Sequence, residues 1–241
     1  MQNIIENNFI NFSDENIEVH FSLGDVDYNK STESGRENIN NLKDIFSLDS
    51  IKYISQVHSD KIISLRDKSE DTSKVEADAI VTDIADVGIG VFYADCVPVI
   101  LYDKESGTTA AVHSGWKGTY MEIAKKTVLR MVTDYKVNAE TLKVIIGPHI
   151  RECCYEISED LKSQFNDKES FKGVSLFKDR NLSLEKAITK SLSDAGIKEE
   201  NIVSLDYCTF CEKDIKLHSY RRDGSLAGRC YAFIVKKSWG D

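Results

Sequence analysis

The run from Ala94 to Gly118 constrains the fold of this chain most. Val97-Pro98-Val99-Ile100-Leu101-Tyr102 and Ala110-Ala111-Val112-His113 are apolar stretches rich in β-branched residues, and the segment from Asp103 to Gly107 between them is polar and turn-like. Two such runs around a turn predict two buried strands in a hairpin. The hairpin sets Cys96, at the edge of the first run, near His113, at the edge of the second. His113 precedes Ser114-Gly115-Trp116-Lys117-Gly118, a glycine-punctuated turn into a periodic segment. Its ring is therefore expected where a strand ends and a helix begins.

The flanking sequence predicts further strands at Ile17 to Leu23, Ile51 to Val57, Lys61 to Leu65, Glu76 to Thr82, Val87 to Tyr93, Leu142 to Ile146, Ile202 to Leu205 and Cys230 to Val235. Helical periodicity runs over Arg36 to Phe46 and Thr119 to Tyr135. A third helix over Leu184 to Ala195 has Ser183 as N-cap and Gly196 as its stop. Many strands, few helices and hairpin-like connections predict an α+β fold.

At 241 residues the chain is long enough to bury a core without staples, as one large domain or two small ones. Its formal charge of −9 argues against a general nucleic-acid or anionic-membrane binder. No run is apolar enough to span a bilayer, and Met1 to Asn8 lacks the marks of a signal peptide, so a cytoplasmic protein is expected. The cysteines at 96, 153, 154, 208, 211 and 230 are then expected as free thiols or ligands.

His58, Cys96 and His113 form the constellation with the most chemistry in it. Two imidazoles and a thiolate suit zinc, and three protein ligands leave a tetrahedral corner for water or substrate. Their spacing fits no local motif, and a core histidine, a surface histidine and a buried free thiol account for the same residues. Asp95 beside the cysteine, or Asp78 in an otherwise apolar strand, could orient a ligand histidine or serve as acid or base. Alternation along a strand would send Asp95 and Cys96 to opposite faces unless the backbone bends. Cys208-Thr209-Phe210-Cys211 has redox or zinc-knuckle spacing, but no second such pair exists, so it reads as incidental, as does Cys153-Cys154.

Gln56-Val57-His58, Glu76 to Thr82, Ala94-Asp95-Cys96-Val97-Pro98-Val99, His113 to Gly118, Gly147-Pro148-His149-Ile150 with Cys154-Tyr155-Glu156-Ile157, and Ser219-Tyr220-Arg221-Arg222-Asp223-Gly224 with Gly228-Arg229 occur in one order. This resembles the family labelled polyphenol oxidase or laccase-domain protein, also called peptidoglycan editing factor. Its members are described as zinc-dependent purine nucleoside enzymes. The likeness covers about residues 17 to 236 and implies a single domain over 1–241, with two packed mixed sheets flanked by helices in α/β/β/α layers, similar to thiol hydrolases. It implies phosphorolysis of adenosine, inosine, guanosine and methylthioadenosine, and deamination of adenosine, at a zinc held by His58, Cys96 and His113.

Phosphorolysis also needs an anion site. Arg221, Arg222 and Arg229 are candidates, because guanidinium forks bind phosphate bidentately. Lys117, at a helix start, is another, and His149 is a candidate proton donor to the departing base. The chain departs from the family pattern at Ser59, where glycine is usual after the first histidine, and near the N-terminus, where an Asn-Arg pair is expected before a leucine and this chain has Asn38-Ile39 before Leu42, with Arg36 nearby. Other readings of the same residues are a metal-free thiol hydrolase with Cys96 activated by His113, and a cell-wall precursor binding protein. A copper oxidase is poorly supported, since five histidines and three methionines are too few for a blue site plus a trinuclear cluster.

Overall fold

The structure, a computed structural model, describes residues 4–238. The chain begins with β1 (Ile4–Glu6), β2 (Phe9–Asp14) and β3 (Ile17–Ser22), an antiparallel meander. Asn7 and Asn8 turn the first corner with φ of 53° and 63°. Those are the left-handed values a two-residue hairpin requires, and asparagine accepts them readily. Helix α1 (Glu33–Ile45) follows, capped by Thr32, whose hydroxyl accepts from Gly35 N. It buries Ile39 and Leu42.

Next come β4 (Ser50–Lys52), β5 (Ile62–Ser64), β6 (Ala79–Thr82), β7 (Val87–Tyr93) and the central hairpin β8 (Val97–Tyr102) and β9 (Thr109–Ser114). The hairpin pairs Val97 with Ser114 and Pro98 with His113, which sets Cys96 near His113 as the sequence predicts. The periodic segment after it is two helices, α2 (Trp116–Tyr120) and α3 (Ile123–Tyr135), rather than one. Glu122 breaks it with φ 59°, and the reversal re-aims α3 along the sheet. Apolar spacing carries no trace of a reversal at one residue.

The second half supplies β10 (Lys143–Ile146), α4 (Glu159–Asp167), a two-residue pair β11 (Phe177–Lys178) and β12 (Asn181–Leu182), α5 (Leu184–Asp194), β13 (Ile202–Ser204), a single turn α6 (Tyr220–Asp223) and β14 (Cys230–Lys236). Gly196 ends α5 with φ +95°.

The strands form two six-stranded sheets, in the orders β1-β2-β3-β14-β7-β4 and β13-β10-β8-β9-β6-β5. Both are mixed, since β4 joins β7, β5 joins β6 and β13 joins β10 in parallel. Alternation decides what each face meets. Ile80, Ile100 and Ala111 point between the sheets, where Phe21, Val91 and Ile234 of the other sheet meet them. Ala79, Val81, Val99 and Val112 point the other way and pack on α3 and α5 through Val128, Met131, Ile188 and Leu192. The far face of the first sheet is closed by α1, with Phe9, Tyr231 and Phe233 against Ile39 and Leu42. This is the expected helix, sheet, sheet, helix layering. Among the described residues no helix is long and apolar enough to cross a membrane.

Candidate active site

His58, Cys96 and His113 come from three separate segments and meet at the end of the β8–β9 hairpin. Their donor atoms all lie within 4.8 Å of one another. Cys96 Sγ is 3.7 Å from His58 Nε2. The two imidazoles stand edge to face, with centroids 4.9 Å apart at 79°. His113 is buried, Cys96 is partly exposed and His58 faces solvent, so the cluster opens to one side.

Local chain geometry brings this about. His58 sits in a tight loop with φ 58°, and Asp95 turns the chain before Cys96 with φ 91°. That bend lets Asp95 and Cys96 share one cleft instead of facing opposite ways. Asp78, at the edge of β6 and fully buried, organises the rest. Its Oδ1 accepts from His113 Nδ1–H at 2.8 Å and from His58 N at 3.0 Å. Its Oδ2 accepts from Ser59 N at 2.6 Å, Ser59 Oγ at 2.7 Å and Val57 N at 3.3 Å. One carboxylate thus fixes the loop of the first histidine and the tautomer of the second, leaving the His113 Nε2 lone pair for the cluster. The serine that replaces the usual glycine adds its hydroxyl to this cradle. Gln56 anchors the same loop to β7 by bonding both the N–H and the carbonyl of Phe92 at 2.8 Å.

The charges follow from the geometry. Burial pushes the Cys96 thiol up, but the charge of His113, followed by hydrogen bonds from His113 and His58, brings it down to about 6. Burial lowers His113, while the Cys96 thiolate and Asp78 outweigh that and raise it to about 9. Such a pair favours thiolate beside imidazolium, or a cation in place of the proton. Gly115, the N-cap of α2, is where the cluster needs space. A Cβ there would lie 2.9 Å from Cys96 Sγ and 3.0 Å from His58 Cδ2. Two imidazole nitrogens and a thiolate, with a carboxylate behind one ring and an open side, are a set that can hold a metal ion.

The open side is a cleft of about 610 Å³. Its walls include Phe92, Tyr155 and Tyr220, with Arg221 and Arg229 among the basic residues. The Arg221 guanidinium lies 5.2 Å from the Tyr155 ring centre and donates to Glu156 O at 3.0 Å. Arg229 lies 5.8 Å from the Tyr220 ring. Asp95 also lines the cleft, with Oδ1 accepting from Thr209 Oγ1 and Oδ2 from Arg221 N, both at 2.6 Å. It holds the turn that carries Arg221.

The remaining predicted contacts lie outside the cleft lining. Arg222 is engaged by its own neighbours, donating to the carbonyls of Thr209 and Leu217 and pairing with Asp223. Lys117 is exposed, with Nζ 5.5 Å from the Trp116 ring. His149 is buried, and its Nδ1–H donates to Gly147 O. Asn29, Lys30 and Ser31, which no motif in the sequence marks, form part of the rim. Lys30 Nζ is held there by Ile54 O at 3.0 Å.

Residues 15–237 match the sequence profile of the family described as multi-copper polyphenol oxidoreductase laccase. The chain belongs to that family. A Clostridium acetobutylicum relative, named purine nucleoside phosphorylase, is 42% identical to this laccase-family chain over 231 residues, 95% of this chain and 96% of its own. A protein named adenosine deaminase RL5, from an unknown prokaryotic organism, is 31% identical over 202 residues, 79% of this chain and 76% of its own. The Bacillus licheniformis hypothetical protein YfiH has the same fold, with a TM-score of 0.87 at 24% identity over 98% of this chain and 99% of that one. The copper in the family's description finds little support in these side chains. Only His58 and His113 meet, whereas His20, His149 and His218 lie apart, bonded to Asn11, Gly147 and Val26. A blue site plus a trinuclear cluster needs more imidazoles in one place.

Proposed function

We propose that this chain is a zinc-dependent purine nucleoside enzyme. It cleaves adenosine, inosine, guanosine and methylthioadenosine with phosphate to the free base and the pentose 1-phosphate, and it deaminates adenosine. The observation that carries the reading is the convergence of His58, Cys96 and His113 at the floor of a cleft walled by aromatic rings and two arginines. The names of the relatives point the same way.

Zinc bound by His58, Cys96 and His113 supplies Lewis acidity at the floor of the cleft. The chain's own residues do the rest. Phe92, Tyr155 and Tyr220 offer flat apolar surface to a purine, and Arg221 and Arg229 hold phosphate against the ribose. In phosphorolysis an oxygen of hydrogen phosphate bonds to C1′ as the C1′–N9 bond breaks, and the proton of the hydrogen phosphate ends on the departing base. In deamination the oxygen of water bonds to C6 and ammonia departs. Asp78 and Asp95 act as positioning residues, the first on His113 and the second on Arg221.

Chromatographic product analysis of adenosine and inosine incubated with phosphate tests this. The zinc-loaded wild type yields adenine and hypoxanthine, with inosine also formed from adenosine, while Cys96→Ala and His113→Ala yield none. Zinc-loaded wild type that converts neither nucleoside sinks the reading.

A second reading has its own observation. Cys96, His113 and Asp78 lie in one line of contacts, with the thiol held at about 6, as a metal-free thiol nucleophile requires. Metal analysis separates the two. Stoichiometric zinc and loss of turnover on chelation favour the nucleoside enzyme, whereas turnover that survives chelation and dies with iodoacetamide favours the thiol hydrolase.

A further inference from the structure

The structure brings together four cysteines that the active site does not use. Cys153, Cys154, Cys208 and Cys211 offer sulfurs that all lie within 4.8 Å of one another, and all four are free thiols. The partner that the C-x-x-C pair lacks in the sequence is thus the adjacent pair Cys153-Cys154, delivered by a different loop. We propose that these four thiolates form a second, structural zinc site.

The geometry supports it at three points. Cys153 Sγ and Cys211 Sγ are 3.7 Å apart. Zinc–sulfur bonds of about 2.3 Å in a tetrahedron put neighbouring sulfurs roughly 3.8 Å apart. A disulfide would need about 2.05 Å. Adjacent cysteines in a strand would face opposite ways, but these sit in a turn closed by Cys154 N and Tyr155 N, each 2.9 Å from Arg151 O, which lets both sulfurs converge. On the other side, Glu212 N donates to Cys208 O at 3.0 Å, closing a C-x-x-C turn.

Binding of a divalent cation releases the thiol protons to solvent, with no change of oxidation state.

The site would fasten two loops that shape the active cleft. Ile150 and Tyr155, on the first loop, line it. On the second, Thr209 donates to Asp95 and its N–H bonds His149 O at 3.0 Å. Zinc here holds Asp95, and through it Arg221, in place.

The test is zinc stoichiometry by atomic spectrometry on protein purified under reducing conditions, exposed to zinc alone and dialysed. The wild type retains two ions per chain. Removal of the first site in Cys96→Ser/His113→Ala leaves one, and that variant gains thermal stability on zinc addition. In the same variant, zinc protects Cys153, Cys154, Cys208 and Cys211 from alkylation, as read by peptide mass mapping. Cobalt in its place gives the strong thiolate-to-metal absorption of a four-sulfur site. Cys208→Ser/Cys211→Ser, if it folds, retains only the active-site ion. The proposal is overturned if Cys96→Ser/His113→Ala retains no zinc, if its thiols alkylate equally with and without zinc, or if mapping finds these cysteines paired as disulfides in reducing buffer.

Discussion

Asp78 Oδ1 lies 2.8 Å from His113 Nδ1, and both side chains are buried. The same carboxylate receives three backbone N–H groups and a hydroxyl from the loop of His58. Asp78→Asn replaces one acceptor by an amide that faces donors and weakens the hold on both rings. Loss of a carboxylate behind a ligand histidine costs about 10–100-fold in metal affinity. Competition with a chromogenic chelator should show that loss, while Ser59→Ala, which removes only one of the bonds, stays within about tenfold of wild type.

Gly115 has an ordinary negative φ, so alanine there meets no backbone penalty. Its methyl would meet Cys96 Sγ at 2.9 Å and His58 Cδ2 at 3.0 Å. Gly115→Ala should therefore fold with a near-native thermal midpoint yet bind zinc at the active site at least about tenfold more weakly, the effect of a displacement costing ~1.4 kcal/mol. Unchanged affinity would mean that the ligand cluster is looser than drawn.

The sequence carries this site unevenly. Cys96 and His113 are legible because a hairpin of apolar runs fixes their proximity by register alone. The layers of the fold are not legible from periodicity, because β6, β8 and β9 are buried on both faces and read as unbroken apolar runs; only the family resemblance implies them. The bends are not legible. His58 and Asp95 both take positive φ, and neither is a glycine that would advertise it. Arg221 and Arg222 are neighbours on one helical turn, and no pattern says which faces the cleft. Other features carry a local signal. Asn7-Asn8 between two apolar runs marks the first hairpin. Ser158, followed by acidic residues and then Leu161 and Phe165, marks α4. The second loop of cysteines completes a constellation only in space.

The two arginines separate function from structure. Arg222 is spent on the carbonyls of Thr209, Phe210 and Leu217 and on Asp223. Arg222→Ala leaves those carbonyls short of donors, at about 1–3 kcal/mol, and should lower Tm by a few degrees, at ~2–4 °C per kcal/mol for a chain of this size. Arg221→Ala should instead leave Tm nearly unchanged and raise the KM for phosphate about 10–100-fold, the loss of charge-assisted bonds of ~1.5–3 kcal/mol. Steady-state kinetics beside thermal unfolding checks both, and an Arg222 variant with native Tm and a raised KM would reverse the assignment.

His20, which does not line the cleft, makes stability depend on pH. It is buried against Phe46 and Phe233, with ring centroids at 4.2 and 4.6 Å, and Nδ1 bonds Asn11 Oδ1. Burial lowers it from the ordinary 6.5; Glu18 opposes that shift and Lys237 adds to it. The folded chain thus keeps this ring neutral at a pH where the unfolded chain protonates it. Below about 6.5 the unfolded state binds more protons, and stability falls as pH drops toward the folded value. His149 and His218 are lowered in the same sense, and His113 is raised in the opposite one. The His20 share is therefore read as a difference between proteins. His20→Phe keeps the aromatic packing and removes the proton site. Urea unfolding at pH 7.5 and pH 5.5 should show a smaller loss of stability on acidification for His20→Phe than for wild type, and equal losses would place the acid sensitivity elsewhere.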